Sequence, residues 1–113
     1  MPYIQIRSNK KIDEEAKMNI KNKLGQSIGI LGKSESWLMM EFVSDCDLYF
    51  KGQNDFDIAY VDVRLYGSSS LENYNRMSGE ISNLLNEYLN INPMNVYISY
   101  AEYSNWGWNG NNF

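Results

Sequence analysis

The chain opens Met1-Pro2, and the second of these residues carries the chemistry that stands out. Proline is small, so Met1 is a good substrate for methionine removal, and the mature chain would then begin with a prolyl secondary amine. The chain has no histidine, which rules out Ser-His-Asp and Cys-His nucleophile pairs and any His-ligated metal. The one cysteine, Cys46, cannot form an internal disulfide or a CxxC pair. A free terminal amine is therefore the best general base this sequence could own. An ordinary α-amino group titrates near about 7.7–8.0. Burial disfavours the ammonium, and a nearby cation such as Lys33 does the same. Both effects move the pKa toward the operating pH, where a general base is most effective. Taken alone, a Met-Pro start is common and mostly without function, and Lys33 would be a solvated lysine at a helix end, suited to the helix dipole.

Other groups offer less. Gly67-Ser68-Ser69-Ser70 lacks the lysine and spacing of a phosphate loop and reads as strand exit and helix cap. Asp62 and Arg64 alternate on one strand face, as an ion pair or a subunit contact. Cys46 lies between Asp45 and Asp47 and reads as an incidental turn residue.

The elements that must position these residues follow from periodicity. Residues 3–7, YIQIR, alternate as a short strand at the N-terminus. Ile12, Ala16, Ile20, Leu24 and Ile28 recur every four residues, with Leu31 closing the stripe. Asp13, Glu14 and Glu15 precede Lys17, Lys21 and Lys23 along it, the polarity a helix favours. Gly29 and Gly32 end that helix, just before Lys33. Trp37 to Val43 reads as a mostly buried strand, and Leu48-Tyr49-Phe50 as a short one. Ile58 to Tyr66 alternates most clearly. Leu71, Tyr74, Met77, Ile81, Leu84, Leu85, Tyr88 and Leu89 form a second amphipathic helix with Pro93 beyond it. Asn95 to Tyr103 is the last long strand, and SNWGWNGNNF the Gly/Asn-rich tail.

This is a βαβ unit made twice. A shift of 59 residues pairs Ile4 with Val63, Ile6 with Leu65, Ile12 with Leu71, Met18 with Met77, Trp37 with Val96 and Met39 with Ile98. The expected architecture is an α+β sandwich: a four-stranded mixed sheet with two helices on one face. Tyr60, Tyr97, Ile98 and Tyr100 are too apolar for an open sheet face, which points to burial by other subunits.

Size and charge agree. The 113 residues are 43% apolar and 21% charged, an ordinary globular composition forming one domain over residues 1–113. Ten basic and fourteen acidic residues leave a net charge of −4. With no basic stripe and no apolar run of about 18 residues, neither nucleic acid nor a membrane is an expected partner. No signal-peptide pattern and no N-x-S/T sequon is present, so the expected compartment is the cytoplasm.

Four places carry a resemblance to the macrophage migration inhibitory factor family and its dopachrome and phenylpyruvate tautomerases. They are Met1-Pro2, Leu31-Gly32-Lys33, Asn95-Val96-Tyr97-Ile98, and Gly107 to Phe113 (GWNGNNF). The resemblance runs the whole length. It implies a homotrimer with sites at subunit interfaces and a cofactor-free, metal-free keto–enol tautomerase acting on an aromatic α-keto acid of the phenylpyruvate type. Pro2 takes the place of the catalytic proline, and Lys33 that of the lysine binding the substrate carboxylate. Tyr66 falls where the family uses a backbone N–H to hold substrate, and Tyr97 matches a tyrosine given by a neighbouring subunit. Ser99 replaces an asparagine of the vertebrate cytokine and is shorter. Trp106 replaces a valine, while Trp108 and Phe113 match aromatic positions near the pocket. The larger Tyr66 and Trp106 imply a narrower pocket. The cytokine's CxxC is absent, with Ile58 and Val61 in its place. The alternative reading is a cytokine-like protein, exported by a non-classical route to bind a host receptor, whose tautomerase pocket is vestigial.

Overall fold

The computed structural model describes residues 1–113. Its long strands are β1 (Pro2–Ser8), β2 (Met39–Val43), β3 (Ala59–Tyr66) and β4 (Val96–Tyr103), and its helices are α1 (Glu14–Ser27) and α2 (Leu71–Leu89). The strands form one mixed sheet in the order β2-β1-β3-β4. β1 pairs with β2 in parallel, β3 with β4 in parallel, and β1 with β3 antiparallel. The two βαβ units therefore meet back to back at the β1–β3 seam.

Alternation along β1 and β3 decides which side is core. Ile4, Ile6, Val61, Val63 and Leu65 are fully buried and join Ala16, Ile20 and Leu24 of α1 and Met77, Ile81, Leu84 and Leu85 of α2 in one cluster. Both helices thus cover the same sheet face. Each such aliphatic side chain removed from water stabilises the fold by about 1.5–3 kcal/mol. The helix starts are fixed locally. Asp13 accepts from the Ala16 N–H at 2.8 Å, and Ser70 from the Asn73 N–H at 3.1 Å. α1 tightens into a 3₁₀ turn over Ile28–Leu31, and Gly32, at φ 73°, reverses the chain toward Lys33. That backbone conformation costs residues with a Cβ about 1–2 kcal/mol.

The expected architecture is present, with corrections in detail. Trp37 and Leu38 lie outside the strand: Glu35–Trp37 is a 3₁₀ turn capped by the Ser34 hydroxyl, and β2 starts at Met39. β2 is an edge strand, and Met39 is 67% exposed rather than buried. Leu48-Tyr49-Phe50 forms no strand; Phe50 pairs only with Gln53 across a turn in which Lys51 and Gly52 have positive φ. Ile98 and Tyr100 pack against the helix-side core instead of the open face. Tyr100 donates to or accepts from the Ser78 hydroxyl of α2 at 2.8 Å.

The shift of 59 relates β1 to β3 but not the helices. Met18 and Leu71 are exposed while their shift partners Met77 and Ile12 are buried. The buried stripes Ala16, Ile20, Leu24, Ile28 and Met77, Ile81, Leu85, Leu89 match at a shift of 61. A helix turns about 100° per residue, so a two-residue slip exposes a different face. Trp37 with Val96 and Met39 with Ile98 also fail as equivalent pairs, since Met39 is on the open face and Ile98 packs toward the helices.

The tail is folded. Gly107–Trp108 pairs antiparallel with Asn111–Asn112 as β5 and β6. Asn109 and Gly110 both take positive φ between them, the pair of residues that suits a two-residue hairpin turn.

Candidate active site

The N-terminus of β1 lies at the mouth of a cavity of about 760 Å³ lined by Met1, Pro2 and Tyr3 from β1, by Trp37 and its neighbours ahead of β2, by Arg64 and Tyr103 from β3 and β4, and by Trp106 to Trp108. All three tryptophans of the chain, Trp37, Trp106 and Trp108, face this space. Their placement has local causes. The 3₁₀ turn at Glu35–Trp37 turns Trp37 toward the tail, where its ring meets Trp108 edge-on with centroids 5.0 Å apart. The hairpin presents Trp108, and the Phe113 N–H donates to the Trp106 carbonyl at 3.0 Å, closing the tail on itself. Trp106 stacks edge-on against Tyr103 at 5.9 Å.

Lys33 and Tyr66 do not line the cavity but bind the terminal backbone beside it. The Tyr66 N–H donates to the Met1 carbonyl at 3.0 Å, and the Lys33 ammonium donates to the Tyr66 carbonyl at 2.8 Å. Gly67 follows at φ 85°, and a Cβ there would stand 3.5 Å from the Lys33 Nζ. Phe113 lies against the Tyr66 ring with centroids 5.5 Å apart. These contacts bring four of the sequence-derived residues, Pro2, Lys33, Tyr66 and Phe113, to one end of the sheet, with Trp106 and Trp108 across the cavity.

The electrostatics favour a neutral terminal amine. The Met1 α-amine is held below its ordinary value, first by burial and then by the Lys33 charge. These are the two causes anticipated for a terminal nitrogen in this place. With Met1 attached, the Pro2 nitrogen is an amide without basicity.

Tyr97 and Ser99 stand elsewhere. Pro2 is opposite Leu65, whereas Tyr97 is opposite Tyr60, five residues further along β3. At about 3.4 Å per residue that is roughly 17 Å. Tyr97 is 64% exposed on the open face, where Phe50 packs edge-on against it at 4.9 Å. The Ser99 hydroxyl pairs with the Tyr60 hydroxyl at 2.5 Å. Within one chain neither residue reaches Pro2.

The sequence reading left out Tyr3, Trp37, Tyr103 and Arg64 as lining residues. Arg64 does form the expected ion pair, at 2.8 Å from Asp62, and its guanidinium lies over the Tyr3 ring at 5.6 Å. The available signal was strand parity, since Tyr3 and Arg64 face each other in the antiparallel register.

A family model described as macrophage migration inhibitory factor matches residues 1–113. Among solved structures, the Leishmania major protein MIF2 superimposes with a TM-score of 0.93 at 26% identity, covering 100% of this chain and 97% of that one. The macrophage migration inhibitory factor-like protein of Entamoeba histolytica gives 0.86 at 23% identity over 99% and 98%. The homologue from Prochlorococcus marinus gives 0.87 at 23% identity over 98% of each chain. No curated protein matches the sequence directly.

Proposed function

The chain belongs to the macrophage migration inhibitory factor family, and from that premise we propose that it is a keto–enol tautomerase of aromatic α-keto acids of the phenylpyruvate type. The observation that carries this reading is the chain terminus at a tryptophan-lined cavity, where burial and the Lys33 charge hold the Met1 amine below its ordinary value.

Removal of Met1 does two things at once. It turns the Pro2 nitrogen from an amide into a secondary amine. It also frees the Tyr66 N–H, whose acceptor is the Met1 carbonyl. In the proposed reaction the neutral Pro2 amine takes the proton from the carbon next to the keto group, and the electron pair shifts onto the keto oxygen. The protonated amine then delivers that proton to the oxygen, giving the enol and restoring the base. Lys33 pairs with the substrate carboxylate, and the freed Tyr66 N–H donates to the oxygen on which charge develops. Trp106, Trp108 and Phe113 with the Tyr66 ring supply apolar and aromatic surface for the substrate ring.

Tyr97 enters this reading through a neighbouring chain. The open sheet face carries Tyr3, Met39, Tyr60, Tyr97 and Tyr103 among the polar Gln5, Glu41, Asp62 and Arg64, a mixed surface that a homotrimer would cover, and Ser99 lies on it beside Tyr60. The test is turnover of phenylpyruvate by protein whose intact mass shows Met1 removed, run beside a receptor-binding assay that separates the enzyme from the cytokine-like reading. Catalysis by the processed chain supports the proposal, and none would overturn it.

A further inference from the structure

The cavity has one charged side chain on its wall. Among its lining residues only Arg64 has a charged side chain, in a chain whose net charge is −4. The guanidinium is held in place rather than mobile. Its Nε–H and one Nη2–H donate to the same Asp62 oxygen, at 3.1 and 2.8 Å, and its plane lies near the Tyr3 ring. Asp62 occupies that edge and leaves the remaining N–H groups of the five-donor fork free. Lys33 meets the same strand at the Tyr66 carbonyl. Leu65, the partner of Pro2, lies between Arg64 and Tyr66. Arg64 and Tyr66, whose carbonyl holds Lys33, therefore flank the strand position opposite Pro2.

We propose that Arg64 is a second anion contact of this site, and that its preferred substrates are α-keto acids whose aromatic ring carries a further acidic group. The inference rests on the tautomerase reading for its chemistry and for the Lys33 contact, but on the place of Arg64 in the cavity for its own binding claim. Lys33 would take the α-keto carboxylate and Arg64 the distal acid, with the ring against the tryptophans. A planar fork suits a carboxylate better than an ammonium does, and Asp62 preorients it.

Because every tryptophan of the chain lines the cavity, intrinsic fluorescence reports its occupancy directly. Titrating the Met1-processed protein with benzoate and with terephthalate, neither of which can react, compares one acid with two. Terephthalate should bind at least roughly tenfold tighter than benzoate, in line with one charge-assisted contact. Arg64→Gln should bring the two Kd values to within about twofold, and Arg64→Lys, which retains charge without the fork, should fall between. Thermal melts of both variants establish that they fold. Equal affinity of the parent protein for the two acids, or an Arg64→Gln variant that weakens both by the same factor, would overturn the proposal. Rates with phenylpyruvate and its para-carboxylated analogue separate the two readings. Discrimination in binding without turnover of either compound refutes the tautomerase and retains Arg64 as an anion contact. Turnover without discrimination refutes Arg64 alone.

Discussion

A single nitrogen holds the account together at the residue scale, and its surroundings set its pH behaviour. Burial and Lys33 lower the pKa of the Met1 amine; the same causes would act on a Pro2 amine one residue on, and only the neutral amine can accept a proton. Phenylpyruvate turnover should therefore rise with pH through one ionisation with a midpoint below the ordinary value of about 8. Lys33→Ala should move that midpoint upward, since a neighbouring positive charge has gone. It should also raise KM by about tenfold to a hundredfold while changing kcat less, because the lysine binds a carboxylate that is charged before and during the reaction. Steady-state kinetics across pH 5–9 check both effects. Cys46 has no such part. It is a free thiol in a turn, half-buried against the Val43 carbonyl, and Cys46→Ser should leave turnover within a few-fold. Pro2 stands out in the sequence because the absence of histidine leaves few candidate bases, and Lys33 only through the family resemblance. Arg64 and Trp37 were not. An arginine beside an aspartate on a strand reads as an ion pair, and a tryptophan next to a hydrophobic run reads as core, until the fold shows both facing one cavity.

Element-scale consequences gather at the ends of β3 and α2. Gly67 sits at φ 85° beside Lys33, so Gly67→Ala should cost about 1–2 kcal/mol in a denaturant titration from backbone strain. Ser70→Ala removes the cap on α2 and should cost about 1 kcal/mol. The contact between α2 and β4 has its own pH signature. Burial, and then a hydrogen bond to Glu102, push the Tyr74 phenol up to about 12. A folded pKa above the unfolded value means that this group's stabilisation is complete below about pH 10 and fades as pH rises toward 12. Tyr74→Phe should delete the corresponding late step from an ultraviolet titration. Elements long enough to show a period were readable: α2 spans Leu71–Leu89, the stretch its apolar repeat marks out. The 3₁₀ turn at Glu35–Trp37 and the two-residue strands of the tail hairpin are too short to carry a period, and the Phe50–Gln53 turn hides in an apolar triplet. The repeat itself misled over the helices, because one shift was applied to strands and helices that superimpose at different ones.

For the molecule as a whole, the open sheet face bears on assembly. Tyr97 and Pro2 lie too far apart to share a site in one chain, so a working Tyr97 requires a neighbour. Light scattering at micromolar concentration should give three times the 13.2 kDa chain mass. A stable monomer would remove Tyr97 and Ser99 from the site while leaving the Pro2 cavity intact. The sheet face was legible as over-apolar through Tyr60 and Tyr97. Ile98 and Tyr100 were assigned to it wrongly, because parity along β4 depends on a register that only pairing with β3 fixes.

The most direct test of the mechanism inserts one alanine between Met1 and Pro2. The inserted chain retains the sheet and cavity, but processing exposes an alanyl amine one residue away and leaves the Pro2 nitrogen as an amide. Phenylpyruvate turnover should be abolished while the circular dichroism spectrum and oligomeric mass match those of the parent. Turnover at the parent rate by the inserted variant would show that the terminal proline is not the base.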